Sequence, residues 1–181
     1  MLELRNISKY YNMGSVNEMC LFKEFSFEVE DNQFVSVVGS NGSGKTSLLN
    51  IICGSIDIEE GAVLVGGENI TRQKDYIRHR RIGRVFQDPS KGTCPSMTIL
   101  ENMSIADNKG NGYGLGKCVN KTRIEYYREQ LSQLNLGLEE KLHVKVGSLS
   151  GGQRQAVALL MATMTPIEFL ILDEHTAALD P

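Results

Sequence analysis

With 181 residues, 41% of them hydrophobic, and a net charge of −3, the chain can bury the core of one domain and is too acidic for a dedicated nucleic-acid binder. Its four cysteines, Cys20, Cys53, Cys94 and Cys118, form no C-x-x-C pair and have no histidine at ligand spacing, which speaks for reduced thiols in a cytosolic protein. The start does not read as a signal peptide and no apolar run approaches bilayer-crossing length, so any work at a membrane needs another chain to span it.

Leu2 and Leu4 alternate with charged residues and predict a strand with one wet face. Tyr11 stands just before a turn at Asn12, Met13 and Gly14, where an aromatic ring either packs or offers its flat face to a base. Phe25, Phe27 and Val29 alternate with polar residues and predict a second half-buried strand, closed by a turn at Asp31 and Asn32. Residues 34–38, Phe-Val-Ser-Val-Val, predict a strand buried on both faces.

The next eight residues are Gly39, Ser40, Asn41, Gly42, Ser43, Gly44, Lys45 and Thr46, which fit the nucleotide-binding pattern G-x-x-x-x-G-K-[ST]. Gly42 and Gly44 let the backbone turn its N–H groups inward, where a side chain would clash. A helix follows from Ser47, apolar through Leu48, Leu49, Ile51 and Ile52, and stopped by Gly54; its N-terminus adds positive potential for phosphates. In this pattern Lys45 reaches the β- and γ-phosphates and the Thr46 hydroxyl serves Mg²⁺.

Residues 62–65 predict a strand closed by Gly66 and Gly67. Residues 71–81 carry Arg72, Lys74, Arg78, Arg80 and Arg81 and predict a short solvated helix. Residues 82–86 predict a strand ending in Gln87, Asp88 and Pro89; Pro89 forces a loop. There Gln87 either faces solvent or puts its amide oxygen on a metal or a water. Ile99, Leu100, Met103 and Ile105 mark a helix over 97–106, and residues 108–120 read as a glycine-rich mobile surface loop. Ile124, Tyr127, Leu131 and Leu134 mark an amphipathic helix.

Ser150 is placed to cap a further helix carrying Ala156, Leu159, Leu160 and Met164 on one side and ending before Pro166. Gly151 and Gly152 leave bare N–H groups at its start, a second anion-binding opportunity. Phe169, Leu170, Ile171 and Leu172 predict a buried strand that runs into Asp173 and Glu174, two carboxylates that are costly at a strand tip without positive charge nearby. Asp173 suits water-mediated Mg²⁺ binding and Glu174 suits polarisation of an attacking water.

In this order the motifs resemble the ATP-binding-cassette ATPases, the motor subunits of ABC transporters, along essentially the whole chain. Residues 39–46 look like Walker A, Gln87 like the Q-loop glutamine, and Leu149, Ser150, Gly151, Gly152 and Gln153 like the L-S-G-G-Q signature. Residues 169–173 look like Walker B, with Glu174 as the catalytic glutamate, and Ala178, Leu179 and Asp180 like the D-loop. The resemblance implies an α/β P-loop NTPase fold: a RecA-like core with an antiparallel β subdomain (1–85 and 148–181) and an α-helical signature subdomain (86–147).

It also implies ATP and Mg²⁺ as cofactors. Nucleotide contacts would come from Tyr11 on adenine and from Gly39, Ser40, Asn41, Gly42, Ser43, Gly44, Lys45, Thr46 and Ser47. Ser150, Gly151, Gly152 and Gln153 would reach the nucleotide from a second copy arranged head to tail. Thr46, Gln87 and Asp173 would serve the metal, and Glu174, Lys45 and Gln87 the catalysis. The implied partners are a second ATPase subunit, an integral membrane permease and, indirectly, a substrate-binding lipoprotein, with no nucleic acid. The implied location is cytoplasmic, peripheral on the inner face of the plasma membrane.

The segments R-V-F-Q-D-P at 84–89 and D-E-H-T-A-A-L-D-P at 173–181 resemble bacterial amino-acid importers of the tryptophan/tyrosine or branched-chain type. The alternatives are the motor of an exporter or lipoprotein-release system, and a nucleotide-binding fragment that does not hydrolyse. No switch histidine follows the D-loop before Pro181, and neither His79 nor His143 is placed to replace it, so the expectation is a fold lacking its last core strands.

Overall fold

The computed structural model describes residues 1–112 and 118–173. Glu174, His175 and the expected D-loop lie outside the described residues, as does the middle of the expected glycine-rich loop, 113–117. The chain divides into two compact units, Met1–Ile82 and Gly83–Pro181.

The first unit is built on a four-stranded sheet of order β2-β1-β3-β4, from β1 (Leu2–Tyr11), β2 (Met19–Val29), β3 (Glu60–Val65) and β4 (Glu68–Asn69). Both β2 and β3 pair antiparallel to β1. The alternation read at Leu2 and Leu4 has its counterpart across the sheet. Leu2 lies opposite Val29 on one side and Val65 on the other, and Leu4 opposite Phe27 and Val63. Leu2, Leu4, Val63 and Val65 are buried, so one face is apolar, as period-2 patterning requires.

The β1–β3 register shifts between Arg5 and Ser8, where Asn6 adopts φ 47°. Gly61 passes this irregularity at φ 93°; a Cβ there would lie 2.4 Å from the Arg5 carbonyl oxygen. Only glycine fits so close to another backbone.

Residues 34–38 do not form the doubly buried strand expected of them. They pair with no strand among the described residues, and Phe34 and Val38 are 87% and 89% exposed. An apolar, β-branched run needs hydrogen-bonding neighbours at its edges before it becomes sheet, and the described chain brings none to it.

Helix α1 (Lys45–Cys53) forms as expected, buries Leu48, Ile51, Ile52 and Cys53, and ends at Gly54 in the left-handed region. The basic stretch after β4 departs from the solvated helix expected over 71–81: α2 spans only Asp75–Arg78, and Arg78 is buried. Its guanidinium donates to the carbonyls of Ile51 (2.8 Å), Ile52 (3.1 Å), Thr71 (2.6 Å) and Gln73 (3.1 Å). It thus satisfies the orphan carbonyls at the end of α1, where a cation also complements the helix dipole. Burial pulls the Arg78 pKa below the ordinary arginine value.

The second unit packs α3 (Ile99–Asp107), α4 (Ile124–Ser132) and α5 (Gly151–Thr163) around a core that includes Ile99, Met103, Tyr127, Leu131, Leu138 and Val157. β5 (Ile82–Val85) and β6 (Phe169–Leu172) form a two-stranded sheet. The stripe read on α4 is the buried one: Tyr127 and Leu131 are fully buried, with Ile124 and Leu134 partly so. On α5 the expected stripe is met in part. Leu160 and Met164 pack against the core, but Leu159 is 37% exposed and the fully buried positions are Gln155, Val157 and Ala158.

Thr98 and Glu101 form a capping box at α3, and the Thr98 N–H and hydroxyl hold the Glu101 carboxyl below its usual pKa. The connection between α3 and α4 is tied at its base. Arg123 Nη2 and Tyr127 Oη donate to the two Asp107 carboxylate oxygens at 2.9 and 2.8 Å, and the Arg123 guanidinium lies 4.2 Å from the Tyr126 ring centroid.

Two substitutions test this account in chemical denaturation. Gly61→Ala should lower stability by roughly 2 kcal/mol or more, since the new methyl meets backbone that cannot yield. Arg78→Met should cost about 2–4 kcal/mol by removing the buried donor to the Ile52 carbonyl and one of the two donors to the Ile51 carbonyl.

Candidate functional site

In the first unit the glycine loop runs into α1 through Gly42 and Gly44, at φ 82° and 91°. Gly44 is the N-cap of α1 and no side chain caps the helix. The first-turn N–H groups therefore have neither an acceptor one turn earlier nor a side-chain oxygen, and remain available to an anion. Gly44 is also close-packed: a Cβ would lie 3.1 Å from Leu21 and 3.3 Å from Phe22 of β2.

Lys45 folds back over the loop, where its ammonium donates to the carbonyls of Gly39 (2.8 Å) and Ser40 (3.0 Å). One turn at 40–43 is closed by the Ser43 N–H on the Ser40 carbonyl at 3.2 Å. Ser40, Asn41, Gly42 and Thr46 are exposed, and Ser47 is half-buried at the start of the helix. A cation at the centre of a ring of backbone dipoles, beside uncapped helical amides, fits a phosphate chain. The protein supplies charge and fixed donors. Tyr11 ends β1 half-buried, with Lys9 Nζ 5.3 Å from its ring centroid.

In the second unit Gln87 leaves β5 exposed, just before a 3₁₀ turn at Pro89–Lys91. Asp88 caps that turn by accepting the Ser90 N–H at 2.9 Å, and the Ser90 hydroxyl and N–H hold its carboxyl below the usual range. Ser150 caps α5 reciprocally with Gln153: the Gln153 N–H donates to Ser150 Oγ and the Ser150 N–H to Gln153 Oε1, both at 3.3 Å. Gly151 is exposed and a Cβ there would meet nothing, which leaves an open approach to the helix start.

Asp173 follows β6 directly and donates its N–H to the Val85 carbonyl at 3.0 Å. The positive charge that a carboxylate at this strand tip needs is supplied by Arg84 of β5: Nη2 donates to Asp173 Oδ2 at 3.0 Å. Of the other carboxylate, Glu174, the structure describes nothing.

Three polar side chains at the site's margins were not singled out from sequence. Arg84 carries the one signal that could have been used, a charge in the middle of an otherwise apolar strand. Gln155, 3% exposed, donates from α5 to the Phe86 carbonyl at 3.4 Å, next to Gln87. Asn102 of α3 donates to the carbonyls of Cys94, Met97 and Thr98 and accepts the Cys94 N–H at 2.7 Å, holding the segment beyond the Gln87 loop against the helix. Neither residue carries a spacing signal, because their partners are backbone groups distant in sequence or in a loop.

Comparison with known proteins bears on these features together. The family model described as "ABC transporter" matches residues 22–177. The chain is 44% identical, over all of its length and 72% of the relative's, to a tyrosine transport ATP-binding protein of Clostridioides difficile. It is 31% identical to a phosphonates import ATP-binding protein of Lactobacillus delbrueckii subsp. bulgaricus, covering all of this chain and 70% of that one. Among solved structures, a dimeric ATP-binding cassette in a post-hydrolysis state with ADP and Pi superposes with a TM-score of 0.81 at 32% identity, over 99% of this chain and 76% of that one. The antiparallel sheet, the glycine loop at the start of α1 and the S-G-G-Q start of α5 are thus parts of a P-loop NTPase fold, and the chain belongs to the ABC transporter family as one of its ATP-binding ATPase subunits.

Proposed function

We propose that this protein is the ATP-hydrolysing motor of a bacterial amino-acid importer. The observation that carries the nucleotide reading is the loop itself: Lys45 drawn over left-handed Gly42 and Gly44 at the uncapped start of α1. The amino-acid assignment rests on the 44% identity to a tyrosine transport ATP-binding protein, because the more distant relatives serve chemically unlike solutes.

In this reading Tyr11 stacks on adenine. The N–H groups of residues 41–47 and the Lys45 ammonium hold the phosphates, moving off the Gly39 and Ser40 carbonyls only as far as the phosphate oxygens draw it. Thr46 and Asp173, with Gln87, are the residues that would hold Mg²⁺. When bound, the ion supplies charge neutralisation to the phosphate oxygens. Glu174 orients the attacking water, and fixed donors around the γ-phosphate stabilise the charge that spreads over it.

A head-to-tail second copy supplies Ser150, Gly151, Gly152 and Gln153 to the same nucleotide; the dimeric state of the solved cassette supports this arrangement. The domain division proposed is a core from 1–85 and 148–181 with a helical insert at 86–147. No helix among the described residues is long and apolar enough to cross a membrane. The partner in this reading is an integral membrane permease, with this subunit against its cytoplasmic face and a substrate-binding lipoprotein acting indirectly.

Lys45→Ala should weaken ATP binding by about tenfold or more, measured by fluorescent-nucleotide titration. Glu174→Gln should reduce hydrolysis by roughly 10²-fold or more with ATP affinity retained; persisting turnover would remove Glu174 from its role. The same variant with ATP should shift from monomer to dimer in light scattering, and a monomer at saturating ATP would refute the head-to-tail arrangement. Reconstituted with its permease and binding protein, the ATPase should be stimulated by tyrosine or a related amino acid. Stimulation by phosphonate or polyamine instead would overturn the solute class.

A further inference from the structure

We infer that Arg84 is a positioning residue for Asp173, an internal cation that holds this carboxylate before a metal reaches it and sets how much divalent cation is needed to recruit it. The inference rests on the reading of Asp173 as a metal-serving acid and goes beyond it. It is carried by the geometry of the β5–β6 pair. Strand β5 places Arg84 beside the end of β6, and the Asp173 N–H on the Val85 carbonyl fixes the register at that point. With the backbones locked, Arg84 Nη2 meets Asp173 Oδ2 at 3.0 Å.

The guanidinium is clamped as well as paired. Its Cζ lies 4.5 Å from the ring centroid of Phe86, the residue just past the end of β5. The Arg84 side chain is 5% exposed and the Asp173 side chain 16%, so water screens the pair poorly. A carboxylate so little exposed needs a partner, and Arg84 both supplies it and fixes its direction.

The same contact opposes a metal. A divalent ion, or its water shell, draws on the carboxylate charge that Arg84 already neutralises and competes for the oxygen it holds. Arg84 therefore trades metal affinity for a preset carboxylate. Lysine in its place would keep the charge while losing the planar two-nitrogen face and the stack on Phe86.

The test is the free Mg²⁺ concentration at half-maximal binding of a fluorescent ADP analogue, measured for the unaltered protein, Arg84→Met and Arg84→Lys. Arg84→Met should lower the half-point by roughly tenfold, while Arg84→Lys should stay within about threefold of the unaltered protein. Mg²⁺ should also raise the melting temperature of Arg84→Met more than that of the unaltered protein, since the metal then relieves an unpaired carboxylate. Arg84→Gln gives the same readout should Arg84→Met not fold. An unchanged or raised half-point in the neutral variants, or an Arg84→Lys protein that behaves as Arg84→Met does, overturns the inference alone. Nucleotide binding by the unaltered protein that ignores Mg²⁺, or an Asp173→Asn variant with an unaltered half-point, overturns the metal-serving reading of Asp173 and this inference with it.

Discussion

A helix that begins at a phosphate site has to keep its first amide hydrogens without acceptors, and that requirement governs the sequence around α1. Most helices dispose of those donors with a Ser, Thr, Asp or Asn cap, as α3 does with Thr98 and α5 with Ser150. At α1 the cap position is Gly44, which offers no side-chain oxygen, and the lysine that follows turns back to the loop carbonyls. Unsatisfied donors destabilise a helix end, so the stability missing at the N-terminus has to come from elsewhere in the element.

It comes from the other end and from the flank. The C-terminus of α1 is closed twice, by left-handed Gly54, whose N–H bonds back to Ile51, and by the buried Arg78 on the Ile51 and Ile52 carbonyls. A Cβ at Gly54 would lie 2.7 Å from Arg78 Nε, so the two devices share one space and depend on each other. On the flank, Leu21 and Phe22 of β2 press against Gly44, so the turn that aims the amides is itself packed. The buried arginine thus has a physical origin in the requirement at the loop: a helix left open at its start is anchored at its finish.

Much of this was legible in the amino-acid order, and the parts that were not share a cause. The strands of the first unit follow from period-2 alternation at Leu2, Leu4, Phe25 and Phe27, and the glycine loop from a spacing that has one physical use. Local chemistry also announced the Ser150 cap. What escaped depends on partners remote in sequence. Arg78 looked like one solvated cation among five, because nothing near it reveals the α1 carbonyls it meets. Residues 34–38 looked like a core strand because their side chains suit one, but strand formation needs edges to pair with, and local pattern cannot count those. On α5 the apolar positions permitted more than one stripe, and a buried glutamine, Gln155, helped settle which face turned inward.

Gln155 and Asn102 suggest why the second unit is built with buried amides where hydrocarbon would pack more simply. Each reaches backbone rather than another side chain: Gln155 the Phe86 carbonyl, Asn102 the carbonyls of Cys94, Met97 and Thr98. Their targets lie on either side of Gln87, while they themselves belong to the signature-bearing helix α5 and to α3. A hydrophobic contact tolerates sliding; a buried hydrogen bond to a particular carbonyl does not, since a lost partner leaves a desolvated amide. The loop that carries Gln87 is therefore pinned at both ends to the helices of its own unit, leaving the exposed glutamine between two fixed points.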